Sequence, residues 1–227
     1  MNTPANTSPA HHLALNGVSA LPHWGVIQAQ GEDAADFLHK QLSNDVLLLP
    51  VGQSRLAAFC SAKGRMQASL IVVKTAPDTI LLVLSLDLLA QTLKRLSMFV
   101  LRAKVKMTDA TGQWQLRGLL GDRAKVLLGD AAPWHTVEMA GAYAVALYPS
   151  VLSNVQVPRA LWLAPVSKAL PEGPELSSEV WQWAEVMSGV TLLTQPVFEA
   201  FVPQMLNYES VGGVNFKKGC YHGQEVV

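Results

Sequence analysis

The sequence is poor in charge and in long apolar runs, and each deficit excludes a class of protein. Charged residues make up 15% of the chain, and 17 basic side chains balance 17 acidic ones, so the formal net charge is zero. A neutral chain has no electrostatic basis for holding RNA or DNA by its phosphates, and we expect no direct contact with nucleic acid. The sequence also has no apolar run of about 18 residues, so we expect no membrane span.

Cysteine is scarce as well. The two cysteines, Cys60 and Cys220, form no C-x-x-C motif and indicate no disulfide framework, which is typical of a reducing compartment. Residues 1–12 lack the basic and apolar regions of a signal peptide, so we expect a frayed N-terminal tail and a cytoplasmic protein. The six histidines show neither H-x-x-x-H nor H-E-x-x-H spacing, and the sequence therefore predicts no metal site.

Half of the residues are hydrophobic, which is enough for a large core. Between Trp24 and Thr108 the periodicity predicts a compact α+β unit in the order strand, helix, three strands, helix, strand. The predicted strands are 24–30, 54–60, 65–74, 79–84 and 104–108, and the predicted helices are 33–42 and 86–100. The residues expected on the buried face of the second helix are Leu86, Leu89, Leu93, Leu96 and Val100.

A second unit begins near Asp109. Its predicted strands are 114–119, 137–139, 143–148 and 161–164, and its predicted helices are 123–128 and 178–188. The segment 165–175 is rich in proline and is predicted to be a loop. Either Ser177 or Ser178 is expected to cap the last helix, because a serine oxygen accepts the free amide hydrogens at a helix start.

The densest chemistry of the chain lies in residues 212–225, GGVNFKKGCYHGQE. Four glycines leave this backbone free to turn and to approach a ligand closely. Cys220 lies two residues from Lys218 and two from His222, and neighbouring cations lower the pKa of a thiol and favour the thiolate. The alternative is that Cys220 is a small buried residue of a glycine-rich turn, and the chemistry of the segment alone leaves both interpretations open.

The sequence KGCYHGQE at 218–225, with FVPQMLN at 201–207, resembles the signature of the folate-binding tRNA-modifying and iron–sulfur-assembly family, which is related to the glycine-cleavage T-protein. The similarity runs from Trp24 onwards and is densest at 31–46, 62–66 and 218–225. It implies an α+β fold of two packed lobes of antiparallel sheet with helices. Residues 25–108 with 195–227 would form the first lobe, and residues 1–24 with 109–194 the second. Because relatives continue into a further β domain, we expect that C-terminal domain to be missing here.

The resemblance also implies a site. A tetrahydrofolate pocket would lie between the lobes, with Trp24 and Trp181 as folate contacts. Lys218 and Cys220 match positions that the family is thought to need for activity. The other positions assigned to the motif or pocket are Lys63, Arg65, Gln204, Asn207, Gly219, Tyr221, Gly223, Gln224 and Glu225. Lys63 and Arg65 lie in a predicted hairpin turn. This turn either binds an anion through its amides and basic side chains or is simply solvated.

Departures from the T-protein argue against its reaction. Ala68 and Ser69 align with two adjacent aspartates, of which the first is the catalytic carboxylate, and an alanine has no proton to exchange. Met187 aligns with a glutamate near the pterin, and Glu185, two positions earlier, is expected to face elsewhere on the helix. Aminomethyl transfer is therefore disfavoured.

The resemblance thus implies a folate-binding accessory protein for the assembly or repair of iron–sulfur enzymes, including tRNA-thiolating enzymes. The implied ligand is tetrahydrofolate and the implied partners are iron–sulfur proteins. Two alternatives stay open. One is a folate-dependent one-carbon transferase that uses other acid–base groups, and the other is an interaction scaffold in which folate binding is vestigial.

Overall fold

The computed structural model describes residues 15–221, 223 and 224, so the predicted tail at 1–12 lies outside the described residues. The strands are β1 (Gly17–Ala20), β2 (Trp24–Gln30), β3 (Ser54–Cys60), β4 (Met66–Ala76), β5 (Thr79–Ser85), β6 (Lys106–Asp109), β7 (Trp114–Leu120), β8 (Thr136–Met139), β9 (Ala142–Leu152), β10 (Val155–Pro165) and β11 (Glu175–Leu176). The α-helices are α1 (Ala34–Gln41), α2 (Leu86–Met98), α3 (Asp122–Leu128) and α4 (Ser178–Met187), followed by 3₁₀ helices Gln195–Val197 and Pro203–Leu206. No described helix is long and apolar enough to cross a membrane.

The strands form two sheets. The first sheet has five strands in the order β3-β4-β5-β2-β6, and its neighbours are antiparallel. The second sheet has six strands in the order β11-β1-β7-β10-β9-β8, and only β1 with β11 is parallel. This α+β architecture confirms the predicted fold class. The predicted assignment of residues 25–108 with 195–227, and of 1–24 with 109–194, to two lobes stays a prediction.

Both faces of the first sheet are buried, because one packs on helices and the other on the second sheet. Leu82 of β5 belongs to a core cluster with Phe37 of α1 and Leu89 of α2. Its neighbour Val83 belongs to the cluster that contains Leu161 of the second sheet. Successive side chains of a strand point to opposite faces. A strand buried on both faces therefore reads as an unbroken apolar run, as ILLVL at 80–84 does.

Most predicted elements are confirmed, with strands β2 and β3 at the predicted bounds. The predicted face of α2 is wrong in part. Its buried residues are Leu88, Leu89, Thr92 and Leu96, whereas Leu86 is 43% exposed. Leucines occupy more than one face of this helix, so their spacing alone allows two orientations. Ser177 is the residue that caps α4, with its hydroxyl accepting from Val180 N.

Two strands were not predicted. β11 lies at the end of the predicted loop, and β1 precedes the first predicted strand. With two and four residues respectively, both are too short to show an alternating pattern.

The segment after α4 returns across the first sheet and carries the C-terminal motif with it. Phe201 O accepts a hydrogen bond from Met66 N at the start of β4, at 2.8 Å. Farther along, Asn215 N donates to Ser43 O at 3.0 Å, and Ser43 Oγ donates to Gly213 O at 2.6 Å. These bonds hold the motif near the end of α1.

Candidate functional site

A cavity of about 800 Å³ lies between the first sheet and helix α4. The sheet contributes Trp24, Ser69, Ile71 and Val83 to its wall, and α4 with the segment 189–194 lies opposite. Trp24 is 6% exposed, so its indole is almost wholly enclosed by protein. The cavity is therefore mainly apolar on its sheet side.

Helix α4 turns one face towards the cavity. Gln182, Glu185, Val186 and Gly189 line it with the spacing of residues on one side of a helix. The expectation that Glu185 faces elsewhere is wrong, because Glu185 lines the cavity and Met187 does not. Two residues along a helix are separated by a rotation of about 200°, so these two positions face opposite ways. The chain thus places the carboxylate of Glu185 at the cavity, two residues before Met187, the position that aligns with the glutamate of the T-protein.

On strand β4 the residue that lines the cavity is Ser69. Ala68, on which the argument against aminomethyl transfer rested, lies in the core cluster on the helix side of the sheet. Ser69 Oγ is 2.5 Å from Tyr208 Oη and accepts a hydrogen bond from Leu193 N at 2.8 Å. Neither Ala68 nor Ser69 brings a carboxylate to the cavity. Aminomethyl transfer therefore lacks, at both positions, the aspartate that the T-protein has there.

The polar end of the cavity is formed by His23 and Glu185. Glu185 Oε2 lies 3.6 Å from His23 Nε2, and Glu185 Oε1 lies 3.8 Å from Arg159 Nη2. Both distances are longer than a hydrogen bond. Both ring nitrogens of His23 and the Oε1 atom of Glu185 are buried without a hydrogen-bond partner among the described residues. Such atoms are uncommon in folded proteins. The side chains of His23 and Glu185 as a whole are 30% and 16% exposed, so both residues are partly accessible from the cavity that they line.

Arg159 and Trp181 lie beneath this polar end. Burial lowers the pKa of Arg159 to about 10, while the neighbouring Glu185 raises it. The guanidinium carbon lies 4.7 Å from the centre of a Trp181 ring, within range of a cation–π contact. Trp181 is fully buried against Gly118, where an added Cβ would meet the indole at 2.3 Å. Because Trp181 does not line the cavity, its contact with folate stays a prediction.

In the C-terminal motif, Lys218 is held by the end of helix α1. Its ammonium donates to the backbone oxygens of His39 and Leu42, the second at 2.6 Å. Carbonyls at a helix end lack partners within the helix, and a cation there complements the helix dipole. Burial lowers the pKa of Lys218 to about 8, whereas Asp45 and Cys220 raise it. Lys218 therefore anchors the motif to α1.

The two cysteines lie in opposite environments. Cys60 is buried, and burial raises the pKa of its thiol to about 12. Cys220 is exposed and free, so it is not the buried turn residue of the alternative interpretation. In the described part of the chain, no group of three or more His, Cys, Asp or Glu side chains is arranged to hold a metal ion.

The turn between β3 and β4 lies against the motif. Gly223 has a φ of +84°, and an added Cβ there would come within 2.3 Å of Ser61 O. Gly219, in contrast, has open space around the position of a Cβ. Tyr221 is buried, and its amide donates to Gln224 Oε1 at 3.1 Å. The motif is thus folded closely onto this turn at Gly223, whereas the position of a Cβ at Gly219 is open.

The two basic residues near this turn differ in their contacts. Arg65 Nη1 donates to Ala200 O at 2.7 Å, which ties the turn to the segment after α4. Lys63 is exposed, and its side chain makes no hydrogen bond or ion pair with the described residues. Anion binding and simple solvation both remain open for this turn.

The remaining predicted site residues are spread over the same segment. Gln204 Oε1 is buried without a partner among the described residues. Asn207 is exposed and has a φ of +56°, where it ends the second 3₁₀ helix. The predictions for His222 and Glu225 lie outside the described residues.

The cavity and the motif occupy different places. None of the described residues between 218 and 224 lines the cavity. A hydrogen-bond chain joins the cavity wall to the segment before the motif, since Ser69 contacts Tyr208, whose hydroxyl donates to Thr191 O at 2.9 Å. Sequence reasoning missed His23, Arg159 and Tyr208. The only available signal was that His23 directly precedes Trp24.

Three comparisons with known proteins agree on the relationship. The family model described as the GCVT N-terminal domain matches residues 11–147. The tRNA-modifying protein YgfZ of Hamiltonella defensa is 30% identical over 230 residues, which cover 96% of this chain and 67% of that protein. An uncharacterized protein of Haemophilus influenzae is 28% identical over 209 residues, which cover 92% of this chain and 66% of its own length. The chain thus spans about two thirds of the length of these curated relatives.

A solved structure shares the fold. The glycine cleavage system aminomethyltransferase T from Bartonella henselae superposes with a TM-score of 0.53 at 16% sequence identity. The match covers 65% of this chain and 42% of that protein.

Proposed function

The chain belongs to the family of the GCVT N-terminal domain, and from that premise we propose that it is a cytoplasmic, folate-binding accessory protein of tRNA modification. It binds tetrahydrofolate in the cavity beside Trp24. It supports the assembly or repair of iron–sulfur enzymes, including those that thiolate tRNA. Cys220 is the residue that reacts with these partner proteins. Similarity to proteins named as tRNA-modifying supports the process.

The cavity is the observation that carries this proposal. The pyrimidine ring of a pterin carries N–H donors along one edge, and the carboxylate of Glu185, whose side chain lines the cavity and is 16% exposed, accepts a hydrogen bond from such a donor. Trp24, Ile71 and Val83 supply apolar surface for the ring faces. The volume of about 800 Å³ lies within the usual range for small-molecule sites. The residues present therefore fit the ligand.

Charge decides which end of tetrahydrofolate enters. The carboxylates of Asp87 and Glu185 line the cavity, and no lysine or arginine is among its described lining residues. Asp87 is already bonded, because it accepts from Ser85 Oγ at 2.7 Å and from Gln195 N at 3.0 Å. The anionic glutamate tail of folate is repelled from this lining, so the pterin enters and the tail stays towards solvent.

Cys220 supplies the chemistry towards the client. As a thiolate, it attacks the outer sulfur of a persulfide on a partner protein. A sulfur–sulfur bond forms on Cys220, the partner's own sulfur–sulfur bond breaks, and the partner's thiolate leaves with the electron pair. The same exposed sulfur is also available as a ligand to an iron–sulfur cluster in transit.

Aminomethyl transfer is the second candidate, and the position of Glu185 at the cavity is the observation in its favour. Glu185 Oε2 lies 3.6 Å from His23 Nε2 and Glu185 Oε1 lies 3.8 Å from Arg159 Nη2, so the carboxylate faces two basic side chains. Ala68 and Ser69 provide no second carboxylate. Turnover of methylene-tetrahydrofolate with an amine donor would favour this candidate over the accessory role.

The test of the function is complementation in bacterial cells that lack their own copy of this gene. Thiolated tRNA bases made by iron–sulfur enzymes are quantified after expression of wild type, Cys220→Ala or Cys60→Ala at matched protein levels. We expect wild type and Cys60→Ala to restore thiolation and Cys220→Ala to fail. Full restoration by Cys220→Ala would overturn the role of the exposed thiol.

A further inference from the structure

A second cavity has a volume of about 500 Å³ and lies on the other side of Trp134 from the proposed folate cavity. Trp134 lines this cavity and also a small void that it shares with Trp24 and Glu185. The indole of Trp134 therefore stands between the proposed folate cavity and the second one. The second cavity has no residue in common with the first.

The second cavity is lined by groups that can be cationic and by no carboxylate. Among its described lining residues, only Arg55 and His135 can carry charge. Arg55 is half-buried, and its side chain makes no hydrogen bond or ion pair within residues 15–221, 223 and 224. A guanidinium offers a planar fork of donors that matches phosphate oxygens. The lining therefore favours an anion.

The other polar side chains of this cavity are already bonded. Asn44 Nδ2 donates to Leu56 O and to Gly212 O, each at 2.7 Å. Ser54 Oγ donates to Trp134 O at 2.6 Å. Gln53 exchanges two hydrogen bonds with the backbone of Thr136, at 3.2 and 3.3 Å. These bonds fix the walls and leave Arg55 and His135 as the donors for a ligand.

Trp134 gives the cavity a rigid aromatic wall. Its backbone is in the left-handed region, with a φ of +68°, which is uncommon for a bulky residue and is maintained only by surrounding contacts. The contacts are hydrogen bonds from Trp134 N to Ala146 O at 2.7 Å and from its indole nitrogen to Val211 O at 2.6 Å. Pro50 and Pro133 add further apolar wall.

Two carboxylates lie near this cavity without lining it. Asp45 is 3.2 Å from the His39 imidazole. Glu138 lies beside Gly52, the residue before Gln53 of the cavity wall, because its Oε2 would be 3.2 Å from a Cβ added to Gly52. Both reduce the positive potential at the cavity, so an anion would be bound by direct contact with Arg55 rather than by a long-range field.

We propose that the second cavity binds a small phosphorylated compound with an aromatic ring, of the nucleoside monophosphate class. Arg55 and His135 bind the phosphate, and Trp134 with the two prolines contacts the ring. The site is independent of folate, since it rests on different residues.

Isothermal titration with AMP, UMP and inorganic phosphate tests this site. The proteins are wild type, Arg55→Gln, His135→Gln and the control Arg95→Gln, which replaces an exposed arginine of α2. We expect saturable binding of a mononucleotide, weakened by about tenfold or more in Arg55→Gln and in His135→Gln and unchanged in Arg95→Gln. Inorganic phosphate should bind more weakly, because it lacks the ring. Thermal unfolding of each variant checks that it is folded.

A short 5′-phosphorylated RNA distinguishes the source of the nucleotide. If the protein binds this RNA but not the free mononucleotides, and Arg55→Gln loses that binding, the phosphate contact is supported and the ligand is the 5′ end of an RNA strand. Absence of binding by both forms overturns the proposal, as does undiminished binding by a folded Arg55→Gln. Equal affinity for inorganic phosphate and the mononucleotide overturns the role of the aromatic wall.

Discussion

Glu185 and Lys218 are charged side chains that the fold shields from water in different ways. Lys218 donates to two backbone oxygens at the end of α1, so its charge is compensated locally. Glu185 has only long contacts with His23 and Arg159 and keeps one oxygen without a hydrogen bond in the described structure. The Glu185 carboxylate lines the cavity and is available to a ligand, whereas the Lys218 ammonium is bonded to two backbone oxygens and acts as a structural anchor.

The burial of Lys218 predicts a pH-dependent contribution to stability. Its pKa is about 8 in the folded protein and 10.5 as the ordinary value, so between these limits the unfolded chain binds more protons. Stability rises with pH wherever the unfolded state binds more protons, so the contribution of Lys218 increases through that window and is constant below it. The free energy of unfolding of wild type minus that of Lys218→Met should therefore grow from about pH 8 to about pH 10.5.

Lys217→Met is the control for this measurement, because Lys217 is exposed beside it. The difference between wild type and Lys217→Met should not change with pH. A pH-independent difference for Lys218→Met would show that the Lys218 ammonium is not buried as described.

The contrast between the two cysteines predicts selective alkylation. Iodoacetamide should modify Cys220 in the folded protein at least about tenfold faster than Cys60, because alkylation requires an accessible thiolate. Cys60 is 1% exposed and its pKa is raised to about 12, so it should react only after unfolding. Mass spectrometry of the two cysteine peptides over time measures both rates, and equal rates in native buffer would contradict the exposed position of Cys220.

At the scale of elements, the motif depends on close packing against the turn between β3 and β4. In Gly223→Ala the added methyl group would lie 2.3 Å from Ser61 O, which is a clash. The variant would also need a φ of +84° at an alanine, a backbone conformation that favours glycine. We expect this variant to lose about 1–3 kcal/mol in the free energy of unfolding, or to release the motif locally, so that proteolysis near residue 220 accelerates.

Gly219→Ala is the matched control from the same motif, since an added Cβ there meets nothing. Its stability and its rate of proteolysis should equal those of wild type within about 0.5 kcal/mol. If the two glycine variants behaved alike, the motif would not be packed on the turn.

The sequence predicted those elements whose residues follow a regular pattern over a whole strand or helix. Strands β2 and β3 were predicted at their observed bounds, because each is a compact apolar segment between polar or glycine-containing turns. The faces of α2 and α4 were harder to predict. Both helices carry apolar residues on several sides, so the cavity position of Glu185 depends on how α4 packs and is not encoded in local spacing.

The candidate site was predictable only in part for the same reason. Cys220 and Lys218 stand out because reactive groups cluster in one short segment, and Trp24 was indicated by family resemblance. Arg159 lies on β10 and reaches Glu185 only through tertiary packing. No local pattern marks such a contact, so residues brought together from separate elements were missed.

At the scale of the whole molecule, a group of polar contacts between the two sheets lies at Trp134. Ser54 of β3 donates to Trp134 O, and Thr136 Oγ1 of β8 donates to Ser54 Oγ at 2.8 Å. The indole nitrogen of Trp134 bonds to Val211 O in the segment that carries the motif. The second cavity borders on this junction, so its wall is tied both to the two sheets and to the segment that carries the motif.

The affinity of tetrahydrofolate for wild type, Glu185→Gln and Glu179→Gln, measured by isothermal titration, tests the central claim most directly. Glu179 lies on the same helix but is exposed, which makes Glu179→Gln the control. We predict one binding site in wild type, an affinity about 10- to 100-fold weaker in Glu185→Gln because the charge is removed and an N–H₂ group replaces one acceptor oxygen, and no change in Glu179→Gln. Absence of binding by wild type, or equal affinity for all three folded proteins, would contradict a folate site at this cavity.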